Sequence, residues 1–90
     1  MEIIFSKKAQ KDLEFWNKTG KKKILKKISE LIRAIQANPY EGIGKPESLK
    51  HQLSGVWSRR IDKEHRIVYE ILDENTINIL NILSLKGHYE

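Results

Sequence analysis

Apolar residues recur along this chain with two periods, and the change of period marks its elements. Ala9, Leu13 and Trp16 return every three or four positions, the spacing of one helical face. Ser6 reads as the N-cap of that helix, and Gly20 as the residue just past its end. Ile24, Ile28, Leu31, Ile32 and Ile35, widened by Leu25, predict a second helix over 21–37, which Asn38-Pro39 ends. A glycine turn between two such helices makes a helical hairpin. Ahead of them, Glu2-Ile3-Ile4-Phe5 is short and β-prone.

After residue 55 the period falls to two. Gly55-Val56-Trp57-Ser58-Arg59-Arg60-Ile61 and His65-Arg66-Ile67-Val68-Tyr69 flank Asp62-Lys63-Glu64, the signal of an antiparallel hairpin. Alternation puts Val56, Ser58 and Arg60 on one face, and Trp57, Arg59 and Ile61 on the other. On the return strand His65, Ile67, Tyr69 and Ile71 share a face, opposite Arg66, Val68, Glu70 and Leu72. Asp73-Glu74-Asn75 is a second turn. The last strand, 76–85, sets Ile77 and Ile79 on one face and Leu80 and Ile82 on the other, as expected of a strand covered on both sides. Residues 38–53 read as a loop, stiffened by two glycines and two prolines and packed through Leu49 and Leu53. The order is β-α-α-β-β-β: an α+β fold, a mostly antiparallel sheet with two helices packed on one face. The pairing of the first strand is left open by the pattern.

Composition narrows the function. Ninety residues suit a single domain over 1–90, burying roughly 60–65% of the unfolded chain's surface. With no cysteine there is no disulfide framework and no thiolate metal site. The start does not read as a signal peptide, and polar residues interrupt every apolar run before membrane-spanning length. A cytoplasmic protein is expected. The net charge is +5, and it is uneven: residues 1–50 hold 12 Lys+Arg against 6 Asp+Glu, the remainder 5 against 6. Lys21, Lys22, Lys23, Lys26 and Lys27 crowd the start of the second helix, where the macrodipole disfavours positive charge. An anionic partner fits this balance; a merely solvated face is the bland alternative.

Arginines within otherwise apolar strands suit a bound polyanion, or else cover apolar surface with their stems. Glu47, Arg60, Arg66, His88 and Tyr89 could together cleave RNA. A base takes the 2′-hydroxyl proton, a cation steadies the charged phosphorane, and an acid protonates the leaving 5′-oxygen. On spacing alone, this set is scattered. His51, His65 and His88 show no metal-ligand spacing, Gly42-Ile43-Gly44 does not open a helix after a strand, and no nucleophile elbow is present. No metal or cofactor is implied.

The segments Pro39-Tyr40-Glu41-Gly42-Ile43-Gly44-Lys45-Pro46-Glu47, Leu49-Lys50-His51, Leu53-Ser54-Gly55-Val56-Trp57-Ser58-Arg59-Arg60-Ile61, Glu64-His65-Arg66-Ile67-Val68-Tyr69 and His88-Tyr89 resemble the YoeB (Txe/YoeB) branch of the RelE/ParE toxin superfamily. The resemblance covers nearly the whole chain. It implies a microbial-RNase-like fold and the toxin of a type II toxin–antitoxin system, a ribosome-dependent endoribonuclease cleaving mRNA in the A site. It also implies Glu47 as general base, Arg66 as the arginine on the scissile phosphate, and His88 as general acid. Tyr89 would orient the substrate, and Lys50 and Arg60 would line the same pocket. The implied partners are a YefM-like antitoxin whose acidic segment wraps the toxin, the ribosome and its mRNA, and operator DNA mainly through the antitoxin; a homodimer is compatible with the same fold. Two competing readings are a ParE-like toxin that inhibits DNA gyrase without cutting RNA, and a non-catalytic nucleic-acid-binding module. Glu47 together with His88-Tyr89 argues against the gyrase reading, which needs no acid–base pair.

Overall fold

Ser6 ends the first strand and begins the first helix. Its backbone is extended (φ −64°, ψ 165°), and its hydroxyl accepts the Ala9 N–H at 3.0 Å, filling one of the donors a helix start leaves open. The helix closes at Gly20, whose φ of +67° is left-handed, a conformation glycine adopts without steric cost. In this computed structural model, which describes residues 1–49 and 55–85, the elements are β1 (Glu2–Phe5), α1 (Lys7–Thr19), α2 (Lys22–Ala37), β2 (Glu47–Ser48), β3 (Val56–Arg60), β4 (His65–Asp73) and β5 (Thr76–Leu85). Helix α2 buries Ile28, Leu31 and Ile35, and Ile24, Leu25 and Ile32 pack beside them. It ends at Asn38, held extended before Pro39.

The strands lie in one sheet in the order β1-β5-β4-β3-β2. The first strand, whose neighbour the sequence left open, runs parallel to the last, Glu2 opposite Thr76 and Phe5 opposite Ile79. All other pairings are antiparallel. Both helices cover one face. Their apolar stripes meet Ile61, Ile67, Tyr69, Ile77, Ile79 and Ile82, with Ile3, Phe5, Trp57 and Ile71 at the margin. Burying each large aliphatic side chain contributes about 1.5–3 kcal/mol. Val56 and Val68, equally buried, stand outside that cluster on the face turned away from the helices, as the alternation predicts.

Two details depart from the expected pattern. Residues 38–53 are not loop throughout: Glu47 pairs with Ser58 and Ser48 with Trp57, adding a short edge strand. Two residues carry no alternation to detect. On β5, Ile82 joins Ile77 and Ile79 in the core instead of facing the other way with Leu80. The pairing explains it, because Tyr69 lies opposite Ile79 while its neighbour Val68 lies opposite Asn81, so the register slips at Leu80. Side chains from the start of α1 onward take up backbone groups at the slip. Ser6 donates its hydroxyl to the Leu80 carbonyl at 2.7 Å, and Trp16 donates its indole N–H to the Ile82 carbonyl at 2.9 Å. Asp12, 4% exposed, accepts the Ile82 N–H at 2.8 Å and also takes Lys8.

Asp12 is therefore expected to hold the bulge in place. Asp12→Ala leaves a buried N–H unpaired and should lower stability by about 1–3 kcal/mol. Asp12→Asn, which keeps an acceptor, should lose less. Urea unfolding checks both; an alanine variant as stable as the wild type overturns this account.

Candidate active site

The site is built by a loop, and the loop is built around one arginine. Arg59 sits on the helix-facing side of β3 and is fully buried. Its guanidinium donates to the carbonyls of Asn38, Glu41 (3.1 Å) and Ile43 (3.3 Å), and its Nε to the Tyr69 hydroxyl at 3.2 Å. Tyr69 in turn donates to the Pro39 carbonyl at 2.7 Å. Asn38 supports the same turn, its Oδ1 accepting the N–H groups of Tyr40 (2.9 Å) and Glu41 (3.2 Å). The alternation placed Arg59 on this face but linked strand arginines to a bound polyanion or to covered apolar surface. Its actual partners are the backbone carbonyls of Asn38, Glu41 and Ile43 and the Tyr69 hydroxyl.

The glycines of the loop follow from that arrangement. A Cβ on Gly44 would stand 2.6 Å from Leu31 Cδ2 and 3.1 Å from Arg59 Cβ, and one on Gly42 would stand 3.0 Å from Arg59 Nη1. Both glycines also hold positive φ, +84° at Gly44 and +134° at Gly42. The Gly44 carbonyl accepts the Arg60 N–H at 2.7 Å, and three residues on the chain enters β2 at Glu47.

Glu47 thus arrives on the face turned away from the helices. Its carboxylate accepts from Arg66 Nη1 at 3.1 Å, and the same Nη1 lies 3.3 Å from the Ser58 hydroxyl. The carboxylate is 63% exposed and the Arg66 side chain 18%, so an open group meets a held one. Arg60 lies directly across the ladder from Arg66, is exposed, and makes no ion pair among the described residues. Two arginines facing each other across a ladder repel; an anion between them would relieve this.

The structure therefore brings together Glu47, Arg66 and Arg60 and adds Ser58, which sequence reasoning had not singled out. Its signal was present: a small polar residue between Trp57 and Arg59, on the Arg60 face. Lys50, His88 and Tyr89, like His51, lie outside the described residues. His65, given no role from sequence, packs edge-on against Trp16 at 4.9 Å and turns Nδ1 to Asp62 at 3.1 Å. Burial pushes the Asp62 carboxyl up, but the N–H groups of His65 and Glu64 outweigh it and leave its pKa below the ordinary value. Trp16 is core, and Trp57, half-buried, meets Tyr40 edge-on at 5.4 Å.

The Arg59 clamp is testable without RNA. Arg59→Met should cost about 2 kcal/mol or more by leaving buried carbonyls unpaired and speed amide exchange over 38–46. Burial raises the Tyr69 phenol above its ordinary pKa, against the lowering effect of Arg59. The folded state thus favours the neutral phenol. This contribution is whole below the unfolded value of about 10 and is lost as pH rises through the folded one. Wild-type stability should accordingly fall more steeply above about pH 10 than that of Tyr69→Phe. Parallel profiles overturn the assignment.

The family model of the YoeB-like toxin of bacterial type II toxin-antitoxin systems matches residues 5–89. Toxin YoeB of Escherichia coli K12 is 46% identical over 89 residues, covering 99% of this chain and all of the relative. A YoeB/ParE toxin structure from Agrobacterium tumefaciens superposes with a TM-score of 0.86 at 36% identity, covering 93% of this chain and 98% of that one. The YoeB–YefM heterotetramer from Staphylococcus aureus matches with a TM-score of 0.80 at 45% identity, covering 92% and 94%.

Proposed function

The chain belongs to the YoeB-like toxins of bacterial type II toxin–antitoxin systems, and on that premise we propose that it is a ribosome-dependent endoribonuclease that cleaves mRNA in the A site. The observation that carries the reading is the meeting of Glu47 and Arg66 at 3.1 Å on the open face of the sheet. A carboxylate and a guanidinium at this distance suit a proton acceptor beside a phosphate clamp.

Glu47 takes the proton of the 2′-hydroxyl, and the freed oxygen attacks the adjacent phosphorus. Arg66, steadied by Ser58, holds the phosphoryl oxygens as charge builds on them. The P–O5′ bond breaks, and His88 returns a proton to the leaving oxygen. The products are a 2′,3′-cyclic phosphate, or the 3′-phosphate it opens to, and a 5′-hydroxyl. Tyr89 orients the substrate, and Lys50 and Arg60 hold neighbouring phosphates. Phosphate must take Arg66 from Glu47, and that exchange frees the carboxylate to act as base. An exposed pair is held by only about 0–1 kcal/mol, so the exchange is easy. Among the described residues nothing fixes RNA in line for attack, and the ribosome supplies that positioning.

Without RNA the same cations are neutralised by the acidic segment of a YefM-like antitoxin, which orders on binding. The S. aureus relative, solved both with YefM and as a dimer, supports that partner and a homodimer. Operator DNA is met mainly through the antitoxin, and the protein works in the cytoplasm.

Single-turnover cleavage on programmed ribosomes tests the roles. Glu47→Ala and His88→Ala should each lose about 10²–10⁴-fold, and Arg66→Ala as much or more. Arg66→Lys should recover little, because an ammonium lacks the planar two-point grip. A 2′-deoxy nucleotide at the scissile position should block cleavage but still bind, and bind Glu47→Gln more tightly than wild type. Cleavage of the deoxy substrate, or 5′-phosphate ends, overturns the mechanism. Intact mRNA with damaged DNA supercoiling would favour gyrase inhibition instead.

A further inference from the structure

Between Tyr69 and Arg66 the ladder of β4 and β5 loses step twice. Tyr69 lies opposite Ile79, Val68 opposite Asn81 and Arg66 opposite Ser84, so three steps along β4 meet five along β5. Without the slips Ile82, not Ser84, would lie opposite Arg66. One slip turns all that follows to the other face of the sheet, and a second turns it back. The pair therefore shortens β5 without inverting it. At about 3.2–3.4 Å per residue, the two absorbed residues draw the following chain back by roughly 6–7 Å. His88, six residues past Ile82, is only four past Ser84.

The slipped stretch is held from α1. Asp12 accepts the Ile82 N–H at 2.8 Å, and Trp16 donates to the Ile82 carbonyl at 2.9 Å, so both backbone groups of that residue meet one helix. Ser6 fastens the Leu80 carbonyl in the same way. Trp16 also packs edge-on against His65 at 4.9 Å, and His65 lies opposite Leu85 at the last pair of the ladder. Apolar contact between a helix and a sheet is non-directional and leaves a strand free to slide along its axis. Directional bonds to both sides of one residue remove that freedom. Asp12 and Trp16 lie one turn apart on α1 and are buried, so neither meets RNA itself.

We propose that Asp12 and Trp16 are positioning residues for the nuclease reaction: by fixing the slips in β5 they set how far the chain carrying His88 runs past Arg66. The inference rests on the reading above, in which His88 protonates the leaving 5′-oxygen. A proton donor must come within hydrogen-bond reach of that oxygen. A misplacement of about 1 Å from a remote change can cost about 10²-fold. A slip of one residue moves a strand by about 3.3 Å.

The test separates proton delivery from the rest of the site. In a substrate with sulfur in place of the scissile 5′-oxygen, the P–S bond breaks to release a thiolate. A thiol has a pKa of about 8.5, so this leaving group departs without a proton. Single-turnover cleavage on saturating programmed ribosomes is measured with both substrates for the full-length wild type and for Asp12→Ala, Asp12→Asn, Trp16→Phe, His88→Ala and Glu47→Ala. On the oxygen substrate Asp12→Ala and Trp16→Phe should lose about 10²-fold, with the half-saturating ribosome concentration unchanged. On the sulfur substrate both should regain most of that loss, as His88→Ala should, while Glu47→Ala stays slow. Asp12→Asn, which keeps an acceptor for the Ile82 N–H, should stay near wild type on either. A wild-type rate for Trp16→Phe on the oxygen substrate overturns the proposal. So does a loss in Trp16→Phe that sulfur leaves in place while it repairs His88→Ala, because a loosened fold slows both substrates alike. Trp16→Phe keeps an aromatic ring in the core and decides the matter where Asp12→Ala does not fold. Failure of sulfur to repair His88→Ala overturns the acid role itself, and this inference with it.

Discussion

The Arg59 guanidinium has no carboxylate partner among the described residues, yet it is fully buried and cannot shed its proton. A buried charge of this kind is tolerated only where its donors are used. The chain uses them on three carbonyls of residues 38–43 and on a phenol that is itself anchored to Pro39. One side chain thereby joins the end of α2, the loop after it and strands β3 and β4. The backbone must come close enough to reach the guanidinium, and Gly42 and Gly44 are where a side chain would obstruct it. Much of the path from Ala37 to Glu47 follows from satisfying Arg59.

Alternation then converts this constraint into a site. Arg59 points toward the helices, so its neighbours Ser58 and Arg60 point away from them, as does Arg66 opposite Arg60. The loop delivers Glu47 opposite Ser58, on the same side. The buried Arg59 and the exposed Arg60 are thus consecutive in sequence and on opposite faces of one strand. The core side is sealed by Tyr69, Leu31 and the loop; the other side leaves Glu47 open to solvent.

Local signals made most of the fold legible. Ser6, Gly20 and the Asn38-Pro39 pair marked the helix ends because capping and φ restrictions act within a few residues. The strand faces of residues 56–71 could be read because period two survives without interruption there. The parallel pairing of β1 could not, since it joins residues more than seventy apart. Ile82 was assigned to the wrong face because the register slip at Leu80 is set by α1, through Ser6, Asp12 and Trp16, and leaves no mark in β5 itself. Of the candidate site, Glu47, Arg60 and Arg66 stand out as groups whose chemistry suits RNA cleavage, and only the family resemblance gives each a role; the partners of Arg59 leave no signal in the sequence. An arginine in a strand reads the same whether its partners are phosphates or distant carbonyls, and only the fold distinguishes them.

The same reasoning bears on why Glu47 and Arg66 rest against each other. Arg66 is largely enclosed, and an enclosed guanidinium needs an acceptor at all times. Ser58 provides one weak contact at 3.3 Å; the carboxylate provides the charge. Because Glu47 is mostly in water, the pair is held loosely, and a phosphate that brings its own charge and geometry can replace it without leaving Arg66 bare. An acidic peptide can do so as well, by the same exchange. On the proposed function, substrate and antitoxin would compete for one guanidinium, and the resting partner of that guanidinium is the group the proposed chemistry needs free.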